Sequence, residues 1–472
     1  MNKQQKTQME MCPAVRSLVF GFLGPVEVLG TCSRVCSSWN RTQAQWHSLL
    51  FSAARPVEKI LRASAQPALR EISAPLALAA VLLNSVTAKL EVLMFQPTLH
   101  SVPWAMEIEE LYDFHIRSPY LLALSSRSCK QLSLLTCLTT LALPNCDADF
   151  RCIAALSNLR HLDLQGSAIP DASLGILAKG CQELQSLNLC QCLGLTASMH
   201  VSSFLKLSDL NLARTAVSDD VLSSLPLSIT RLNLCACGQI TVNSLAVLGR
   251  LWSLRELCLI GCNRLNNIAA GSRFPLTTLT TLHLSTGWPG IARSVPLLKR
   301  LTILGGAMRD LGIVDGSPAI ETLTLLVCTA RSLEDDFNTI VNLPTLSSLV
   351  LGSTNEVSPK AISGLALLPR LRTLKLISLP FEDEDLHALS VLQQLEDLGC
   401  AIIGSGLAHL RPLASLHTLT LSRCPLLEPE CLASTRALLA LRAINFFDCP
   451  SLPASLEGYV CSWAKVVKKS LH

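Results

Sequence analysis

The chain has 472 residues, several times the size of a usual single-core domain, so it implies either several domains or one elongated repeat array. Hydrophobic residues make up 49%, charged residues 16% and aromatics 4%, and roughly a fifth of the chain is leucine, which excludes intrinsic disorder and a collagen-like chain. A net charge of +4 over this length gives no concentrated basic patch, so no specific nucleic-acid partner is expected.

Residues 1–10 are polar and read as a disordered N-terminus, with no apolar core of a secretory signal behind them. No stretch reaches the ~20 apolar residues of a spanning helix, so no membrane partner is expected. With 20 Cys and no signal peptide, the expected setting is cytoplasmic and/or nuclear, with reduced thiols. Residues 11–51 follow a helical period. Pro13 can open a first helix with Val15, Leu18, Val19 and Phe22 on one face, and Gly24-Pro25 ends it. Leu29, Cys32, Val35, Cys36 and Trp39 continue the period, and Trp46, Leu49 and Leu50 form a last apolar cluster. Residues 52–137, broken by Gln66-Pro67, Ala74-Pro75, Gln96-Pro97, Val102-Pro103 and Ser118-Pro119, read as a linker and degenerate first repeats. Weak copies of the later pattern stand there at Leu90/Leu93/Phe95 and at Leu111/Phe114/Ile116.

From Leu138 to residue 454 one pattern recurs about 14 times: L-x-x-L-x-L-x-x-(C/T/S/G). Copies start at Leu138, Leu159, Leu184, Leu207, Ile229, Leu254, Leu279, Leu298, Ile320, Leu346, Leu371, Leu395, Leu416 and Leu441. This consensus and period are those of a leucine-rich repeat. The leucines at positions 4 and 6 are two apart, so they share one face of a short strand, and position 5 points the other way. Stacked units therefore predict an α/β solenoid with parallel strands on a concave face and helices or irregular turns outside. The ninth position holds Cys146, Cys192, Cys237, Cys262, Cys328, Cys424 or Cys449. A small buried polar side chain there can satisfy backbone groups where the chain leaves the strand. The pairs Cys190/Cys192 and Cys235/Cys237 fall on repeat positions 7 and 9 and lack the spacing of a zinc site, so no metal is expected. No motif for catalysis or for a cofactor stands out, and the chain reads as a non-enzyme.

Outward strand residues include His161, Asp163, Asn188, Asp209, Asn211, Arg231, Asn233, Glu256, His283, Arg300 and Lys375. Of these, His161, Asp163, Asn188, Asn211, Arg231, Asn233, Glu256, His283 and Lys375 are the candidate contacts for a bound protein. Their mixed charge argues against a strongly acidic or basic ligand. Residues 455–472 read as a C-terminal capping helix, with Tyr459, Val460, Trp463, Val466 and Val467 on one face and Lys465, Lys468 and Lys469 near its end.

The segment 11–51 resembles an F-box. The matches are Pro13, Leu18, Val19-Phe20-Gly21-Phe22-Leu23, Glu27, Leu29, Val35-Cys36-Ser37-Ser38-Trp39 and Trp46. The resemblance implies a small helical domain that docks on a Skp-type adaptor and, through it, a cullin. It implies adaptor contacts at Pro13, Leu18, Phe20, Phe22, Leu23, Leu29, Val35 and Trp39. Leucine-rich repeats behind an F-box imply a substrate receptor of an SCF-type (Skp–cullin–F-box) ubiquitin ligase, with the substrate on the concave face. The same apolar helices also read as a plain cap on the first repeat, leaving a protein-interaction scaffold.

Overall fold

The computed structural model describes residues 48–50, 71–75, 92–96, 122–123, 126–196, 198–265, 276–285, 295–305, 319–326, 340–352, 364–377, 383–401, 406–424, 426–453 and 465–469. The chain forms two compact units, residues 1–239 and 240–472. Each is leucine-rich-repeat solenoid: parallel strands on one side, short helices or turns on the return.

In the first unit the sheet strands are β1 (Ser48–Leu50), β2 (Glu71–Pro75), β3 (Val92–Gln96), β5 (Thr140–Ala142), β7 (His161–Asp163), β8 (Ser186–Asn188), β9 (Asp209–Asn211) and β10 (Arg231–Asn233). Neighbours in that order pair in parallel. A separate parallel pair joins β4 (Leu122–Ala123) to β6 (Cys146–Asp147). The register aligns Leu141, Leu162, Leu187, Leu210 and Leu232 as one inward row. All five are at most 2% exposed, and each buried leucine contributes about 1.5–3 kcal/mol of burial energy. The helices α1 (Ser126–Ser133), α2 (Arg151–Ala154), α3 (Asp171–Gly180) and α4 (Asp219–Ser223) lie on the return segments. In α3, Leu174, Leu177 and Ala178 sit three and four apart and bury one stripe. The helix ends at Gly180, where a Cβ would stand 1.9 Å from the carbonyl oxygen of Ala154 at the end of α2, so only glycine permits this approach.

In the second unit the strands are β11 (Glu256–Leu259), β12 (Thr281–Leu284), β13 (Arg300–Leu304), β14 (Thr322–Leu326), β15 (Ser348–Gly352), β16 (Thr373–Ile377), β17 (Asp397–Cys400), β18 (Thr418–Ser422), β19 (Ala443–Phe447) and β20 (Lys465–Lys469). They too pair in parallel in chain order. After α5 (Asn243–Leu248), the described returns are 3₁₀ turns: Asn263–Leu265, Leu365–Leu367, Asp383–Val391, Gly406–Leu410 and Pro429–Ala437. The tighter helix covers the core with fewer residues across the return.

Two hydrogen-bond patterns and one backbone conformation repeat. The carbonyl at position 2 accepts two N–H groups from the next repeat, as Gln185 O does from Ser208 (2.8 Å) and Asp209 (2.9 Å). The residue at position 8 is left-handed: Asn145, Gly166, Gln191, Arg214, Ala236, Gly261, Gly305, Arg423 and Asp448 all have φ between 51° and 89°. The side chain at position 9 bonds inside the turn. Ser167 Oγ donates to Leu143 O (3.1 Å) and accepts from Cys146 N–H (3.0 Å). Cys192 Sγ donates to Leu164 O and Cys237 Sγ to Leu212 O, each at 3.1 Å. Cysteine at this position thus satisfies a strand carbonyl, as its recurrence suggests.

Two expectations change. Residues 465–469, read as part of a capping helix, are a strand that extends the sheet beside β19. Val466 and Val467 are β-branched and adjacent, and an open strand edge was available to pair with. The helical reading of 11–51 stops short of residue 48, because Ser48–Leu50 is a strand paired with β2. β2 and β3 are strands within residues 52–137, which read as a linker and degenerate first repeats. The weak copy at Leu90/Leu93/Phe95 overlaps β3, and the copy at Leu111/Phe114/Ile116 lies outside the described residues. No helix among the described residues is long and apolar enough to cross a membrane.

Candidate functional site

Each L-x-L strand turns positions 3 and 5 outward, so the strands of each unit carry two outward rows. In the first unit the position-3 row is Thr140, His161, Ser186, Asp209 and Arg231. His161 is exposed. Asp209 is buried and holds Arg231 through two hydrogen bonds: Nε donates to Oδ1, and Nη2 to Oδ2 at 2.7 Å. This fork-to-carboxylate pair fixes the direction of the guanidinium.

The position-5 row is Ala142, Asp163, Asn188, Asn211 and Asn233. Four of these residues do one job. Asp163 Oδ1 accepts from Gln165 N–H (2.9 Å), and Asn188 Oδ1 from Cys190 N–H (3.0 Å). Asn211 Oδ1 accepts from Ala213 N–H (3.0 Å), and Asn233 Oδ1 from Cys235 N–H (2.9 Å). Each is an Asx turn that closes the strand and presents the left-handed residue behind it. Burial pushes the Asp163 carboxyl above its usual range, opposed by hydrogen bonds from Gln165 N–H and the Asn188 side chain.

The second unit differs. Its position-3 row begins Glu256, Thr281, Arg300, and its position-5 row begins Cys258, His283, Thr302, Thr324, Val350, Lys375. Arg300 reaches back along the first row: Nε donates to Thr281 Oγ1 (3.0 Å) and Nη2 to Glu256 Oε1 (3.4 Å). Burial, then the neighbouring Arg300 charge, lowers the His283 pKa to about 4, so its imidazole is neutral at pH 7. Lys375 lies across Gly399, where a Cβ would stand 3.3 Å from Lys375 Cγ. Burial raises the Asp397 pKa and the Lys375 ammonium opposes the rise.

The structure thus places all nine candidate contacts on outward strand positions, in two sets. His161, Asp163, Asn188, Asn211, Arg231 and Asn233 lie on strands of the first unit, where four stabilise turns and Arg231 is held by Asp209. Glu256, His283 and Lys375 lie on strands of the second unit. Cys258 beside His283 and Asp397 near Lys375 were not singled out, although positions 5 and 3 of their repeats mark them. Pro13, Leu18, Phe20, Phe22, Leu23, Leu29, Val35 and Trp39 lie outside the described residues.

Six of the buried thiols are chemically quiet. Burial raises Cys146, Cys190, Cys192, Cys237 and Cys400 to about 12 and Cys181 to about 11. Such thiols carry almost no thiolate at neutral pH. Among the described residues no group of three or more His, Cys, Asp or Glu is disposed to hold a metal ion. The arrangement offers a polar, mixed-charge surface of side chains on rigid strands, suited to non-covalent recognition.

No protein-family model matches the chain. The chain is similar to an F-box/LRR-repeat protein of Arabidopsis thaliana, 25% identical over 225 residues, which cover 41% of this chain and 91% of that one. Among solved structures it is similar to an internalin of Listeria monocytogenes, at 18% identity and a TM-score of 0.40, covering 72% of this chain and 88% of the internalin. It is also similar to a leucine-rich-repeat protein of Leptospira interrogans, at 18% identity and a TM-score of 0.40, covering 88% of this chain and 94% of that one.

Proposed function

We propose that this chain is the substrate-recognition subunit of an SCF-type ubiquitin ligase. Residues 11–51 dock on a Skp-type adaptor and thereby on a cullin, and the outward strand residues of the repeats hold a protein substrate. The observation that carries this reading is Phe20-Gly21-Phe22-Leu23 followed by Val35-Cys36-Ser37-Ser38-Trp39 ahead of a leucine-rich-repeat array. Similarity to an F-box/LRR-repeat protein over nearly the whole of that relative supports it.

In this role the chain performs no bond chemistry. It ties a substrate lysine near a charged ubiquitin-conjugating enzyme, so a slow bimolecular encounter becomes a local one. The outward side chains supply recognition, and the work is done in the cytoplasm or nucleus, where the adaptor and reduced thiols coexist.

The test is an affinity pull-down comparing the intact chain with a Leu23→Asp/Val35→Asp variant, both checked by circular dichroism. Recovery of a Skp-type adaptor and a cullin with the intact chain only is expected. Absence of the adaptor from both, with other proteins retained by both, overturns the reading and leaves a repeat scaffold with a helical cap.

A further inference from the structure

We propose that Cys424 and Cys449 are a redox-reactive thiol pair that closes to a disulfide between two adjacent repeats. They stand at position 9 of successive units, just past β18 and β19, whose ends pair as Leu421 with Phe446 and Ser422 with Phe447. Strands in a sheet lie about 4.8 Å apart, within the roughly 4.4–6.8 Å Cα separation that a disulfide spans. The left-handed residues Arg423 (φ 56°) and Asp448 (φ 52°) precede them, and Arg423 N–H bonds Phe447 O at 2.9 Å, so both turns are built alike. Cys424 is fully buried and Cys449 is 4% exposed.

The pair differs from Cys192 in its neighbours. Next to Cys192 the position-9 residues are Ser167 and Thr215, and Cys192 gives its proton to a carbonyl 3.1 Å away. Cys449 Sγ stands farther from its carbonyls, 3.6 Å from Leu421 O and 3.4 Å from Phe447 O, and also meets the Cys424 thiol by a hydrogen bond. That bond, chiefly, together with one from the Cys424 backbone, brings the Cys449 pKa down to about 7, against burial. A thiolate near pH 7 beside a second thiol is the arrangement of a resolving pair.

The oxidant is a hydroperoxide. The Cys449 thiolate attacks one oxygen of hydrogen peroxide, the O–O bond breaks, and the released hydroxide takes a proton and leaves as water. Cys449 is then a sulfenic acid. The Cys424 sulfur attacks it, the S–S bond forms, the S–O bond breaks, and the hydroxide leaves with the Cys424 proton as a second water. Two thiols are oxidised and one peroxide is reduced to two waters.

The experiment exposes the full chain to hydrogen peroxide, unfolds and alkylates it, and maps the cysteines by mass spectrometry. A Cys424–Cys449 linked peptide, reversed by dithiothreitol, is expected, with Cys192 and Cys237 recovered alkylated. In Cys424→Ser, dimedone should label Cys449 as the trapped sulfenic acid. Recovery of both Cys424 and Cys449 as alkylated thiols, at a dose that oxidises the exposed Cys137, overturns the proposal. So does a linked peptide of equal yield joining Cys449 to any other cysteine.

Discussion

The two units carry the same leucine spacing but close their strands differently. In the first, Asp163, Asn188, Asn211 and Asn233 at position 5 each tie down the N–H two residues on. In the second, the aligned positions hold Cys258, His283, Thr302, Thr324, Val350, Lys375, Gly399, Thr420, Asn445 and Val467, a row with a single Asn, whose amide nitrogen donates to Thr420 Oγ1 at 3.3 Å. The inward leucines stack equally well in both. The outward residue between them is therefore optional for the fold. In the first unit the Asp and Asn residues serve their own turns; in the second, most of these positions hold residues that do not.

The largest effects should not distinguish the units. Leu187→Ala and Leu374→Ala each remove a fully buried side chain and should cost about 2–5 kcal/mol, read as a lowered urea midpoint. A marked asymmetry would mean that one core is looser than the other.

Alkali should separate them. A thiol held near 12 in the fold but titrating near 8.5 when unfolded stabilises the fold below the lower value and loses that contribution as pH rises through the folded one. The loss is roughly 1.4 kcal/mol per pH unit for each such thiol between those values. Cys146, Cys181, Cys190, Cys192 and Cys237 lie in the first unit and Cys400 in the second, so the first should melt earlier above pH 9. Proteolysis across a pH series reads the order.

Acid should act with opposite sign. His283 is held near 4, below its unfolded 6.5, so its contribution is present above 6.5 and lost as pH falls toward 4, by on the order of 2 kcal/mol. The folded pKa of Asp163 is raised, so its contribution is present at low pH and fades as pH rises. In His283→Phe the acid loss of the second unit should shrink, as hydrogen exchange at pH 4.5 would reveal.

The position-5 comparison has a direct test. Asn211→Ala leaves the buried Ala213 N–H unpaired and should cost about 1–2 kcal/mol with little change in partner retention. Lys375→Ala should change stability by less than about 0.5 kcal/mol yet reduce retention of a bound protein in a pull-down. The reverse outcome would mean that the turn-closing row is the recognition row. Smallest of all, Glu183→Gln breaks the exposed 2.6 Å pair with Lys206 and should shift stability by less than about 0.5 kcal/mol.

Much of the fold was legible because it depends on one strong rule. Leucines two apart inside a repeating unit have a single way to be buried together, and a parallel stack follows. The outward rows were legible as places, since position 5 must oppose positions 4 and 6. Their division of labour was not. Asp163 and Asn188 carry a polar side chain that suits a ligand or a turn equally, and only the distance to the N–H two residues on decides. Local pattern also misled at Lys465–Lys469, where a helical stripe of valines is equally a strand once β19 offers an edge. At Ser48–Leu50 two leucines in a row gave no period to read.

The doubly accepting carbonyl at position 2 has a consequence for how such a chain can change in evolution. Because Gln185 O and its counterparts fix two successive N–H groups of the next repeat, one residue inserted between Leu207 and Leu210 would turn an inward leucine outward. Insertions and deletions are therefore channelled into the return half. Unit lengths bear the mark of this: Leu279 to Leu298 spans 19 residues and Ile320 to Leu346 spans 26, yet Arg300, Thr322 and Ser348 remain in register. The strand side is a fixed template on which single residues are exchanged, and the return side is where length drifts.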